Sequence, residues 1–213
     1  ESGTCITSER SSPPQTKNQA LGITSPQYMM AAGVSAGALL CGVSLWAAPH
    51  LFRALLLRMP FLDVYTTMTE YPHLPLTLHE RDEWGDPAVP REAEYIASWD
   101  PIQNLQRRVQ QRPSGNPSTG LPAVLIQAGA ADMRAPPWNA SKLAALLEAL
   151  ATEELKEQPA SKRDASEVGS DAGLLLDLQE GAGHFASNQL EKICLDRAIE
   201  AVFLKASLRP RWS

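Results

Sequence analysis

The chain has 213 residues, enough for one domain of ordinary size or a large part of one. Hydrophobic residues make up 44% and charged residues 20%, a globular composition that excludes fibrous and disordered classes. Against 24 Asp and Glu stand 19 Lys and Arg, a formal net charge of −5. An acidic chain without a basic tract is a poor match for a phosphate backbone, so nucleic acid is not an expected partner.

Residues 1–20 are polar, rich in Ser, Pro and Gln, and lack the charged start and apolar run of a signal peptide; they read as a disordered lead-in. The chain begins at Glu1 rather than Met, so it is expected to be a fragment, a processed product or a partial gene model. Cys5, Cys41 and Cys194 lie far apart and form neither a disulfide framework nor a CxxC zinc knuckle, which fits a reducing, cytoplasmic compartment.

From Ser25 to Phe52 there is no acidic or strongly basic residue. Met29 to Ala48 is long enough to span a bilayer, and Gly33 and Gly37 have the GxxxG spacing of packed membrane helices. The same residues also read in pieces. Gln27–Ala32 suits a buried parallel strand, Gly33-Val34-Ser35-Ala36-Gly37 is a G-x-S-x-G, and Ala38–Ala48 suits a buried helix stopped by Pro49. In that second reading the serine sits on a sharp strand-to-helix turn, the glycines avoid clashes, and the helix N-terminus favours developing negative charge. Taken alone the motif is weak, and a small-residue helix contact explains it equally well.

Leu51–Met59 has the length of a second strand, closed by Pro60. Residues 61–118 predict loops and short helices over one end of a sheet, ending in a turn-rich linker at Pro113–Gly120. Pro122–Gln127 is a buried strand, and a helix opens at Pro137 and Trp138 with Leu143, Leu146, Leu147 and Leu150 at helical spacing. Residues 157–172 lack large apolar side chains and read as a flexible insertion. Leu174–Leu178 is a strand, and Asn188–Leu208 a final helix with Ile193, Ala198, Val202 and Phe203 on or near one face. Strand alternating with helix predicts an α/β fold with a parallel sheet.

Open α/β sheets place their chemistry at strand ends. Here the first strand leads into Ser35, the Pro122–Gln127 strand to Asp132, and the Leu174–Leu178 strand to His184. Alone, Asp132 is an ordinary turn residue and His184 an ordinary loop histidine; the order Ser, Asp, His is that of α/β-hydrolases. A serine hydroxyl needs a base within reach, His184 is that base, Asp132 orients it, and the Ala36 backbone N–H faces the oxyanion.

Several segments together resemble one family. Gly33-Val34-Ser35-Ala36-Gly37-Ala38-Leu39-Leu40, Met59-Pro60-Phe61-Leu62-Asp63-Val64, Leu74-Pro75-Leu76-Thr77 and Glu83-Trp84-Gly85-Asp86-Pro87 are similar to the catalytic domain of the prolyl oligopeptidase family, in its oligopeptidase B and prolyl endopeptidase-like branch. Asp132-Met133-Arg134-Ala135-Pro136-Pro137-Trp138 resembles the segment around that branch's catalytic acid, and Gly183-His184-Phe185 its histidine. The likeness runs from about residue 20 to 207, apart from 157–172.

The resemblance implies a serine peptidase acting on short peptides, with a partial α/β-hydrolase domain over 21–208, a tail at 209–213 and no cofactor. A β-propeller covers the site in the family, and neither it nor the strand and tyrosine upstream of the nucleophile are in this sequence, so the chain alone is expected to be weakly active or inactive. Cleavage after Arg or Lys is implied by Glu80 and Asp82, which fall on the branch's specificity carboxylates; two carboxylates at one pocket would hold a guanidinium. Arg81 between them neutralises part of that field, and Asp82 is one methylene shorter than the branch's usual glutamate. Arg134 matches an arginine that bonds the substrate backbone. Val34 and Ala38 replace the usual glycines and are expected to crowd the elbow mildly.

Two alternatives stay open. One is a prolyl endopeptidase-like hydrolase of esters or thioesters; the other is a non-catalytic or membrane-anchored interaction domain, with the apolar run as its span. His50, His73, His79 and His184 share no helical i, i+4 spacing, which argues against a metal site.

Overall fold

The long apolar run is divided by a turn at Ser35. Met30–Val34 forms strand β1 and Ala36–Ala47 forms helix α1. Pro49 ends the helix and opens a single 3-10 turn at Pro49–Leu51. In this computed structural model, which describes residues 21–74, 77–111, 120–157, 173–185 and 189–208, no helix among the described residues is long and apolar enough to cross a membrane. The membrane-span reading of residues 29–48 is therefore corrected: the run is a strand followed by a helix of 12 residues, and the strand, expected to be buried, lies at the sheet edge with only Gly33 fully covered. The expected lead-in at 1–20, most of the expected insertion (158–172) and the tail at 209–213 lie outside the described residues.

The next strand, β2 at Ala54–Arg58, is shorter than the apolar stretch predicts, because residues 49–51 are taken by the 3-10 turn. The region after it is more helical than expected, with α2 at Val64–Glu70, α3 at Thr77–Trp84, α4 at Pro90–Trp99 and α5 at Pro101–Gln111. Pro90 and Pro101 occupy first helical positions, where the missing N–H has no acceptor to lose. Buried Asp100 joins two of these helices: Oδ1 accepts Gln103 N at 2.8 Å in α5, and Oδ2 accepts Tyr65 N at 2.9 Å in α2. Burial pushes its carboxyl up to about 6, against the pull of those hydrogen bonds. The chain continues through β3 at Ala123–Gly129, α6 at Trp138–Glu157, β4 at Leu174–Gln179 and α7 at Leu190–Ser207.

All strand pairs are parallel, in the spatial order β1-β2-β3-β4. The register sets Leu55 beside Val124 and Leu57 beside Ile126, and these four face α1, α5 and α6 through Leu45, Ile102, Leu105, Leu143 and Leu147. Leu56 and Leu125, one residue out of phase, face the other side and meet Phe203 of α7. A sheet covered by helices on both faces explains why β2 and β3 are continuous apolar runs. It also fixes the register, since a one-residue slip would exchange the two faces. An open groove of about 1020 Å³, lined by Phe52, Leu175, Ile199 and Phe203, lies at the N-terminal ends of the strands, away from the strand ends expected to carry chemistry.

Helix α7 turns the expected face, with Ala198, Val202 and Phe203, toward the groove, but it buries only part of it. Phe203 and Glu200 are its buried residues, with Ile199 and Leu204 partly covered, while Ala198 and Val202 line the open groove beside Phe203, Val202 at 68% exposure. A buried glutamate fastens the helix to the sheet. Glu200 accepts both Nε and Nη2 of Arg58 at the end of β2, and Arg197 Nη1 at 2.7 Å. Burial would raise this carboxyl, but the hydrogen bonds from Arg58 and Arg197 outweigh it and hold it below the usual range. A lowered carboxyl contributes stability at neutral pH that is lost as pH falls through its folded-state value. Glu200→Gln is therefore expected to lower the unfolding free energy from urea titration at pH 7 by about 1 kcal/mol, with the deficit shrinking as both proteins are taken toward pH 3. A deficit that stays constant over that range would contradict the charge-based account.

Candidate active site

Ser35 joins β1 to α1 in a backbone conformation that ordinary residues avoid, with φ +53° and ψ −125°. Such a conformation costs about 1–3 kcal/mol and persists only where the surroundings enforce it. Here Ser35 N donates to Arg58 O at 2.9 Å, while Ser35 O accepts Ala38 N at 3.0 Å and Phe61 N at 3.3 Å. Gly33 lets the turn close: a Cβ there would lie 2.4 Å from Gly37 O and 2.6 Å from Ala38 Cα. Gly37 faces open space, so only the first glycine of the motif is sterically required by the described residues. Nor do the two departures crowd the turn, as Val34 is 50% exposed and Ala38 packs into the core. Ala36 is the first residue of α1, where backbone N–H groups have no intrahelical acceptor.

The turn after β3 carries Asp132, which is 1% exposed. Its Oδ1 accepts Arg134 N at 2.8 Å and Ala135 N at 2.9 Å, which leaves Oδ2 aimed outward. The turn after β4 lies directly across this one. Ala130 N donates to Gln179 O and Ala131 N to Ala182 O, each at 2.9 Å. The approach is close enough that a Cβ on Gly129 would fall 2.4 Å from Ala182 O. This contact delivers His184 to the carboxylate. Its Nδ1 lies 2.8 Å from Asp132 Oδ2, and its Nε2 lies 2.9 Å from Ser35 Oγ. With the ring proton on Nδ1 facing the carboxylate, the Nε2 lone pair faces the hydroxyl, the arrangement in which a serine proton can pass to imidazole.

The structure thus brings Ser35, Asp132 and His184 together, with Ala36 beside them. It does not unite the two carboxylates of α3. Glu80 and Asp82 stand two residues apart in a helix, so they project to opposite sides, and Asp82 is exposed. The expectation of both at one pocket is corrected by that helical geometry. Glu80 is half-buried, accepts Trp84 Nε1, and feels the charge of Arg134. Burial pushes its carboxyl up, ahead of the opposing effects of Trp84 and Arg134. Arg81 does not neutralise Glu80; it pairs with Asp86 at 3.6 Å. Arg134 is exposed, its guanidinium carbon 5.4 Å from the centre of the Phe185 ring. No group of three or more His, Cys, Asp or Glu gathers as a metal site among the described residues.

Two residues of this region escape the sequence reading. Gly129 is indistinguishable from any strand-end glycine until the opposing turn is placed. Asn139 is fully buried, and it does leave a signal: it lies four residues before Leu143, a polar side chain on the apolar stripe of α6.

Comparison with known proteins identifies the family. The model of the prolyl oligopeptidase family matches residues 16–209. Among curated relatives, prolyl endopeptidase-like from Homo sapiens is 33% identical over 174 residues, covering 81% of this chain and 21% of the relative. Protease 2 of Moraxella lacunata is 32% identical over 165 residues, covering 78% of the chain and 20% of the relative. Among solved structures, oligopeptidase B from Leishmania major superposes with a TM-score of 0.69 at 29% identity, over 90% of this chain and 22% of that one. Oligopeptidase B from Trypanosoma brucei, with covalently bound antipain, gives 0.66 at 30% identity, over 92% of this chain and 23% of that one. The chain therefore spans about a fifth of the length of these relatives. A match across nearly all of its own length, in sequence and in fold, means that the chain belongs to the prolyl oligopeptidase family and carries part of its α/β-hydrolase domain.

Proposed function

We propose that this chain is part of a cytoplasmic serine peptidase that cleaves short peptides through an acyl-enzyme, with a preference for cutting after Arg or Lys. The observation that carries the chemistry is the continuous path from Ser35 Oγ through His184 to Asp132, at 2.9 and 2.8 Å. As Oγ attacks the scissile carbonyl, its proton moves to His184 Nε2. The imidazolium so formed is held by Asp132, whose other oxygen is fixed by two backbone N–H groups. The Ala36 N–H donates to the oxyanion. His184 then gives its proton to the leaving amine, and water repeats the sequence on the acyl-serine. In this reading Arg134 bonds the substrate backbone, and an upstream propeller of the same protein limits access to short chains.

Selectivity rests on Glu80. In this reading the half-buried Glu80 carboxylate of α3 receives the substrate guanidinium by charge-assisted bonds. Asp82, on the far face of α3, does not reinforce it. That separation favours a second reading, an ester or thioester hydrolase without a strong basic pocket.

Treatment with a fluorophosphonate probe is expected to modify Ser35, and Ser35→Ala to abolish the adduct in mass spectra. Asp132→Asn should slow labelling by up to about 10⁴-fold, since the imidazole loses its oriented tautomer. Labelling that persists in Ser35→Ala would remove the assignment. For selectivity, the ratio of turnover on an Arg reporter to that on an uncharged ester isolates Glu80, because the requirement for neutral His184 cancels. Since burial raises the Glu80 carboxyl, the ratio should decline on acidification earlier than an ordinary glutamate would give, and Glu80→Gln should flatten it. An unchanged ratio in Glu80→Gln would favour the ester reading.

A further inference from the structure

Nothing in the peptidase chemistry calls for Asn139, yet it is fully buried and uses its amide on two loops at once. Its Oδ1 accepts Leu62 N at 2.8 Å and Asp63 N at 2.7 Å. Its Nδ2 donates to Pro136 O at 3.0 Å. The first pair belongs to the loop after β2. That loop also grips the strained serine, because its Phe61 N donates to Ser35 O, while Arg58 O at the end of β2 accepts Ser35 N. Pro136 belongs to the turn that begins at Asp132 and feeds α6. A second link runs in parallel: Lys142, one turn further along α6, pairs with the buried carboxylate of Asp63.

We infer that Asn139 is a positioning residue that sets the distance between the nucleophile turn and the acid turn, so that His184 can bridge them. The idea rests on the hydrolase reading of Ser35, His184 and Asp132. Those two turns leave different strands, and their separation must suit an imidazole at both nitrogens. The strands fix it only through β2 and the loop that follows. A side chain that accepts from one loop and donates to the other ties them directly. Neither leucine nor serine at this place could do so, the first lacking polar atoms and the second lacking reach for two acceptor bonds and a donor bond together. The alternative is an amide that merely satisfies buried backbone groups; its loss would then lower stability without altering the site in molecules that remain folded.

The two roles separate experimentally in the full chain. Asn139→Ala and the core variant Leu147→Ala are compared at matched folded fraction, measured by urea titration. The low-field proton NMR signal of His184 Nδ1–H, assigned by its loss in His184→Gln, reports the bond to Asp132; the rate of fluorophosphonate labelling per folded molecule reports Ser35. Leu147→Ala should keep both, whereas Asn139→Ala should lose or broaden the signal and label at least about tenfold more slowly. Should Asn139→Ala fail to fold, Asn139→Asp decides: it keeps the acceptors for Leu62 and Asp63 but not the amide donor, and should weaken the signal and the rate. Retention of the signal and the rate in the folded Asn139 variant overturns the inference, as does equal loss in Leu147→Ala. If the parent chain is not labelled at all, the peptidase reading fails, and the proton signal alone judges Asn139.

Discussion

One imidazole closes this structure's chemistry. His184 bonds at both ring nitrogens to groups that arrive from other strands, at 2.8 and 2.9 Å, and the tolerance of such bonds is a few tenths of an ångström. That demand reaches back into the sheet. The three turns can meet only if β1, β3 and β4 end at the same edge in a fixed register, and the register is held by apolar side chains on both faces of β2 and β3. Core packing and the chemical site are therefore one problem. The leucines that bury β2 also decide where Arg58 O lies, and Arg58 O holds Ser35 N.

Strain and close approach are concentrated at the strand ends. The backbone of Ser35 is forced to a positive φ, Gly33 admits the carbonyl of Gly37, and Gly129 admits the carbonyl of Ala182. Each of these costs something locally and persists because rigid elements on either side enforce it. At the opposite end of the sheet lies the open groove lined by Phe52, Leu175 and Phe203. Buried charges lie between these extremes. Arg58, Glu200 and Arg197 fasten α7 to the last residue of β2, on the far side of the sheet from α6 and its Lys142–Asp63 link.

Much of this was legible in the residues. The alternation of apolar strands and helices gives the parallel sheet, and Ser35, Asp132 and His184 stand out because each follows a separate strand. The apolar run at 29–48 was ambiguous because length and hydropathy cannot see a turn; the break at Ser35 is a backbone event. Ala198, Val202 and Phe203 of α7 do share a face, the one that lines the groove, but Glu200, a buried residue of the helix, is passed over by a search for apolar spacing. Glu80 and Asp82 are paired only by the resemblance, and the helix of α3 separates them. Gly129 and Asn139 meet groups more than forty residues away in sequence; nothing local marks Gly129, and the polar break in the apolar stripe at Asn139 shows that it is buried but not which loop it holds.

The most direct test of the central arrangement is an experimental structure of the chain after reaction with a small organophosphonate. The account predicts phosphorus bonded to Ser35 Oγ, a phosphoryl oxygen about 3 Å from Ala36 N, and His184 still bridging toward Asp132. An unmodified Ser35, or an adduct with His184 turned away from both Ser35 and Asp132, would contradict it.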